Sequence, residues 1–142
     1  MLPTTIIYYP VKIIKALSAP NIYFAIAWIW TLLIAFLCLF SLKKFPTLEI
    51  GGGDKYGHVV LHFGFTILWF LYCQSKSKIP QLVLKIVIVS VVYGAFLEIM
   101  QGLFTATRKT EMLDVVANTT GALTAALVIY LWNIFRKKRF YN

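Results

Sequence analysis

Charge is scarce in this chain. Only 13% of its 142 residues are Asp, Glu, Lys or Arg, where a soluble domain carries about 25%. Apolar residues make up 60%, more than one soluble core of this size encloses and well suited to helices solvated by lipid. Cysteine is scarcer still. Cys38 and Cys73 fall in apolar runs without metal-ligand spacing to another cysteine, so they read as two small apolar side chains rather than a disulfide or a zinc site. A cleavable signal peptide is also missing from the expected pattern. The stretch from Ile13 to Leu17 is broken by Lys15, and the apolar run after Pro20 is too long for a signal core.

Acid is the least abundant of the charged classes, with five Asp and Glu against 14 Lys and Arg. A net charge of +9 and a pI near 9.7 would suit a nucleic-acid binder. The basic residues, however, flank apolar runs and form no patterned groove, which argues against nucleic acid and for anchoring at anionic lipid headgroups.

Four uncharged or nearly uncharged runs divide the chain, at about 22–42, 54–73, 81–103 and 114–135. Each is close to the ~20 residues a helix needs to cross the hydrocarbon of a bilayer. Lys43, Lys44 and Pro46 stop the first run, and Gly51, Gly52 and Gly53 precede the second with maximal backbone freedom. Trp28 and Trp30 lie too deep in the first run for an interfacial belt and are expected to pack. The expected fold is all-α: an integral membrane bundle of four transmembrane helices with short connections, residues 1–142 forming one domain. Residues 1–20 read as an interfacial segment or as a plain leader.

The charges divide by side. The N-terminus, the middle connection and the C-terminus carry Lys12, Lys15, Lys76, Lys78, Lys85, Arg136, Lys137, Lys138 and Arg139, with no acid. The other two connections carry Glu49, Asp54, Glu111 and Asp114 with Lys43, Lys44, Lys55, Arg108 and Lys109. The positive-inside rule then puts both termini in the cytoplasm of a multi-pass protein of the cytoplasmic (inner) membrane, and the mixed-charge face outside.

Polar groups within apolar spans are costly, roughly 2.5–3.5 kcal/mol for a central Asp or Lys, so they face the bundle interior and are candidates for function. Asp54, His58 and His62 recur at intervals of four and share one helix face. Asp54 also reads as a helix N-cap, and His62 as a core histidine bonded to a neighbouring helix. Gly94, Glu98 and Gln101 share a face at the end of the third run, with Glu98 roughly 7 Å inside it. Its candidate cations are Arg108, Lys55 and protonated His58, and a purely structural salt bridge is the plainer reading. Asp114, Asn118, Gly121 and Ala125 share a face of the fourth run, where Gly121, Ala122, Ala125 and Ala126 permit close helix approach. Each of these residues has a structural explanation singly. Together they reach one membrane depth from three separate elements.

The ordered set resembles a known family. Asp54-Lys55-Tyr56-Gly57-His58 matches D-K-x-x-H, Glu98-Ile99-Met100-Gln101 matches E-x-x-Q, and Arg108, Asp114, Asn118 and Gly121 match R-x5-D-x3-N-x2-G. The resemblance is to VanZ-like membrane proteins and covers residues 54 to about 130. It implies a place in the bacterial cell envelope and, from the family's named member, an association with reduced susceptibility to glycopeptide antibiotics of the teicoplanin type. The family's reaction is poorly defined. One departure is Glu111, where the family usually has a small hydroxyl residue, and His62 is an addition of this sequence.

The expected function is binding or processing of an anionic lipid headgroup or lipid-linked envelope precursor at an outward-facing polar site. Asp54, His58, Glu98 and Asp114 are the acid–base (catalytic) candidates, and Lys55, Gln101, Arg108 and Asn118 the ligand-binding ones. Carboxylates beside a histidine also allow a divalent ion, and the pattern fixes neither a metal nor a cofactor. The other reading is a non-enzymatic membrane protein that binds a lipid or glycopeptide-type compound, its polar cluster serving as recognition site and helix clamp. A transporter is disfavoured by few spans and no inverted repeat. A homo-oligomer would use the small-residue face of the fourth span as its seam.

Overall fold

The computed structural model describes residues 19–39, 53–74, 79–104 and 111–140. Among these residues all regular structure is helical. The elements are α1 (Ala19–Leu39), α2 (Gly53–Cys73), α3 (Ile79–Phe104) and α4 (Met112–Phe140). All four are long and apolar enough to span a bilayer, and the chain is a multi-pass membrane protein. Residues 1–18, the Lys43–Pro46 stop, Gly51, Gly52 and Arg108 lie outside the described residues.

Two helices begin just ahead of their apolar runs for the same reason. Pro20 and Pro80 both fall in the first turn of a helix, in α1 and α3. There the missing N–H has no intrahelical acceptor and the fixed φ suits the helix. Proline therefore sits inside these helices rather than before them. At its other end α4 runs through the basic block to Phe140, while the apolar span ends at Phe135.

Centrally placed α2 packs against each of the other helices, most extensively against α4. Ile34, Cys38, Phe65 and Leu97 form one buried cluster between α1, α2 and α3. Phe70, Leu82, Ile86 and Ile129 form another, toward the opposite end, from α2, α3 and α4. Large apolar side chains such as Ile29, Leu32, Val60, Leu84 and Leu127 remain exposed, as lipid-facing positions should. Cys38 is buried and Cys73 half-buried, and no disulfide joins them.

Hydrocarbon offers no hydrogen bonds, so polar atoms within the bundle find partners on neighbouring helices. Trp30 Nε1 donates to the Leu61 carbonyl at 2.9 Å, and Trp69 Nε1 donates to Thr31 Oγ1 at 3.1 Å. The Tyr93 hydroxyl donates to the Thr31 carbonyl at 2.7 Å. These bonds fasten α1 to α2 and α3. Gly64 makes the first of them reachable, because a Cβ there would lie 2.8 Å from the Trp30 ring. Trp28 packs less completely than Trp30: it stays 45% exposed and meets the edge of Trp69 at a centroid distance of 5.6 Å.

The small-residue face of α4 is used inside the bundle. Gly121, Ala122 and Ala125 are buried, and a Cβ on Gly121 would strike the Val59 carbonyl oxygen and come within 3.1 Å of the Phe63 nitrogen. Both are α2 backbone atoms, which cannot rotate aside. The expected seam between copies is thus already occupied by α2. Gly121→Ala should lower stability in detergent by about 1–3 kcal/mol through overpacking, seen as a lower thermal midpoint. Gly57→Ala, where nothing lies within 4 Å of the new methyl, should leave the midpoint unchanged or raise it.

Candidate functional site

Asp54 and Asp114 lie in the first turns of α2 and α4. A carboxylate there is favoured by the exposed N–H groups and the dipole of the helix. One turn deeper on each helix comes the next residue of the same face, His58 on α2 and Asn118 on α4. The end of α3, running the other way, brings Glu98 to the same level. Asp54 is exposed at the rim, whereas His58, Glu98, Asp114 and Asn118 are all buried.

His58 is the centre of this cluster. Its Nδ1 lies 3.0 Å from Asn118 Oδ1 and 3.9 Å from Glu98 Oε1, and its Nε2 lies 3.8 Å from Asp114 Oδ2. An amide oxygen can only accept, so Nδ1 carries the proton and donates to Asn118. In the neutral ring, Nε2 then presents its lone pair toward Asp114. At the rim, Lys55 Nζ is 3.2 Å from Glu111 Oε2 and 4.0 Å from Asp114 Oδ1. Glu111 is therefore held by a lysine. Because both side chains are substantially exposed, solvent screening leaves the pair little effect on stability.

Two further residues lie deeper or to the side. His62 Nδ1 is 2.9 Å from Ser90 Oγ, which matches the expectation of a core histidine bonded to a neighbouring helix. Gln101 is buried, and its amide nitrogen donates to the Cys38 carbonyl at 2.8 Å, linking α3 to α1. Gly94 is the close-approach point among them: a Cβ there would lie 2.7 Å from Asn118 Nδ2 and 2.9 Å from His62 Cε1.

Of the residues singled out from sequence, the structure thus brings together Asp54, Lys55, His58, Glu98, Asp114 and Asn118. Gln101 lies at the same end of α3 but turns its amide toward α1. Arg108 lies outside the described residues. Ser90 was not anticipated, although it sits four residues before Gly94 and eight before Glu98. Extending that helical stripe by one turn would have found it.

The family model described as VanZ/LLP1 matches residues 7–135. The chain belongs to the VanZ/LLP1 family. The match takes in α1 and the segment before it as well as the motif-bearing helices. No curated protein and no solved structure matches the chain.

In this VanZ/LLP1 chain the D-K-x-x-H and D-x3-N elements face each other across the α2–α4 contact, and Glu98 of E-x-x-Q closes the third side. Glu111 adds a carboxylate to the rim and engages Lys55 there. Asp54, His58 and Asp114 each present one ligand atom within 4.8 Å of the others, a set able to hold a metal ion. The chemistry available is therefore proton exchange at imidazole and carboxylates, cation binding, and hydrogen bonding to a polar group entering past Lys55.

Asn118 fixes the histidine tautomer, and this can be measured. Nitrogen NMR of histidine-labelled protein in bilayers should show neutral His58 protonated at Nδ1. In Asn118→Leu the ring should populate both tautomers, with about 1–3 kcal/mol lost from stability because a buried donor loses its acceptor. An unchanged tautomer in that variant would show that Asn118 does not orient the ring.

Proposed function

We propose that this end of the bundle faces away from the cytoplasm and binds, or acts on, the headgroup of an anionic lipid or lipid-linked envelope precursor. The carrying observation is the convergence of His58, Glu98, Asp114 and Asn118 from three helices into one buried cluster, with Lys55 and Asp54 at its mouth. Buried ionisable groups at a span end are expensive and seldom gather without a task. The distribution of Lys and Arg supports the orientation, since the opposite end carries the acid-free segments. Membership of the VanZ/LLP1 family supports a setting in the cell envelope and a link to glycopeptide susceptibility.

In this reading Lys55 meets the phosphate at the rim, together with Arg108 from the connection into α4. Arginine offers two parallel bonds to such a group. His58, Asp114 and Glu98 then lie beneath the headgroup, placed for general acid–base work. A second reading, recognition without reaction, is favoured by the bonds that clamp helices together, His58 to Asn118 and Gln101 to the Cys38 carbonyl.

Native mass spectrometry of protein released from phosphatidylglycerol nanodiscs tests the proposal. One anionic lipid should stay bound, and Lys55→Ala or Arg108→Ala should weaken its retention by about tenfold or more, the equivalent of one charge-assisted bond. Alanine at Glu98 or Asp114 should abolish any change in glycopeptide susceptibility that the wild-type protein confers on a host, with membrane insertion intact. Equal lipid retention in every variant would refute the headgroup site. Loss of the folded protein in both acidic variants would assign those residues to the scaffold instead.

A further inference from the structure

Four carboxylates, Asp54, Glu98, Glu111 and Asp114, lie at this end of the bundle, and Lys55 is the one Lys or Arg there among the described residues. Lys55 sits nearest Glu111, at 3.2 Å, and 4.0 Å from Asp114 Oδ1. The latter distance is too long for a hydrogen bond. Asp114 is only 5% exposed, and its Oδ1 is a buried atom without a hydrogen-bond partner among the described residues. Opposite it, the Asn118 bond occupies Nδ1 of His58 and leaves Nε2 directed at Asp114 Oδ2 across 3.8 Å. A lone pair facing a carboxylate oxygen in a buried site repels unless something positive stands between them.

We infer that Asp54, His58 and Asp114 form a binding site for a divalent first-row transition metal of the zinc type, with open coordination positions toward the mouth of the cluster. Two carboxylate oxygens and one imidazole nitrogen make a mixed oxygen–nitrogen set, and three protein ligands leave room for water or a ligand oxygen. Asp54 and His58 supply their donors from successive turns of one helix, and Asp114 supplies the third from the facing helix. The three donor atoms now lie within 4.8 Å of one another. Bonds of about 2.0–2.2 Å at tetrahedral angles would bring them to roughly 3.4 Å, a shift that exposed Asp54 can make by a side-chain rotation. Asn118 serves as the positioning residue, since it holds the Nδ1 proton and so keeps Nε2 free to ligate. Lys55 stays with Glu111 at the rim. The inference deepens the headgroup reading, because a phosphate oxygen could take the open position, but the metal site itself does not depend on that reading.

The test uses the full chain in detergent, treated with a chelator and then titrated with Co2+, whose visible absorption reports bound geometry, with Zn2+ as competitor and elemental analysis for stoichiometry. One metal ion should bind per chain. Asp54→Asn and His58→Gln should each weaken binding by about tenfold or more, at least the loss expected from removing an outer-shell partner. Asp54 is exposed, so its asparagine variant serves as the ligand deletion that leaves the packed core untouched; its thermal midpoint checks that it is folded. Lys55→Ala should retain the metal, or bind it more tightly for want of a competing ammonium, while losing phosphatidylglycerol. That variant separates failure of the headgroup reading from failure of the metal site. Absence of a bound ion in the folded wild type, or affinity unchanged in both Asp54→Asn and His58→Gln, would overturn the inference.

Discussion

The structure depends on one constraint: a polar group carried below the membrane surface must find its partner on another helix. Water hydrates such groups in a soluble protein, and lipid does not. His58 is buried; its hydrogen bond runs to Asn118 on α4, and its ring nitrogens lie within 4 Å of carboxylate oxygens of Asp114 on α4 and Glu98 on α3. These interactions set the rotation of three helices about their axes. A helix turned by one residue, about 100°, would carry its polar face out of the cluster and into hydrocarbon.

Close backbone approach makes the arrangement reachable. Gly121 lets α4 lie directly on the α2 backbone at Val59 and Phe63, and Gly94 leaves the space that Asn118 and His62 fill. The apolar clusters around Phe65 and Phe70 supply contact area but little direction, since lipid tails are as apolar as leucine. Direction comes from the small residues and the polar pairs. For the same reason the rim differs from the interior. Lys55 and Glu111 are substantially exposed and add little stability, which leaves them free to engage an incoming group.

Much of this was legible in the sequence because membranes impose simple lengths and periods. Runs of about 20 apolar residues identified four helices, and intervals of four placed Asp54 with His58 and Asp114 with Asn118. The shared depth of these residues followed from the charge pattern and the span ends. What could not be read was partnership, which depends on how each helix is rotated. Nothing in the sequence pairs His62 with Ser90 rather than with Tyr93 or Asn118, nor Trp30 with the Leu61 carbonyl. The same limit led the small residues of α4 to be offered as a seam between copies, when Gly121 is covered by α2. The helices α1 and α3 begin just ahead of their apolar runs because proline, at Pro20 and Pro80, is tolerated in a first turn.

The central claim is that these side chains act as one coupled cluster and not as separate satisfied groups. A double-mutant cycle on His58 and Asp114, with stability measured by reversible unfolding in mixed micelles, tests it most directly. Alanine at either position, and at both, should give a coupling of about 0.5–3 kcal/mol, as groups sharing one network do. Strict additivity of the two substitutions would mean that α2 and α4 bring their polar faces together without energetic contact, and the cluster would not exist as a unit.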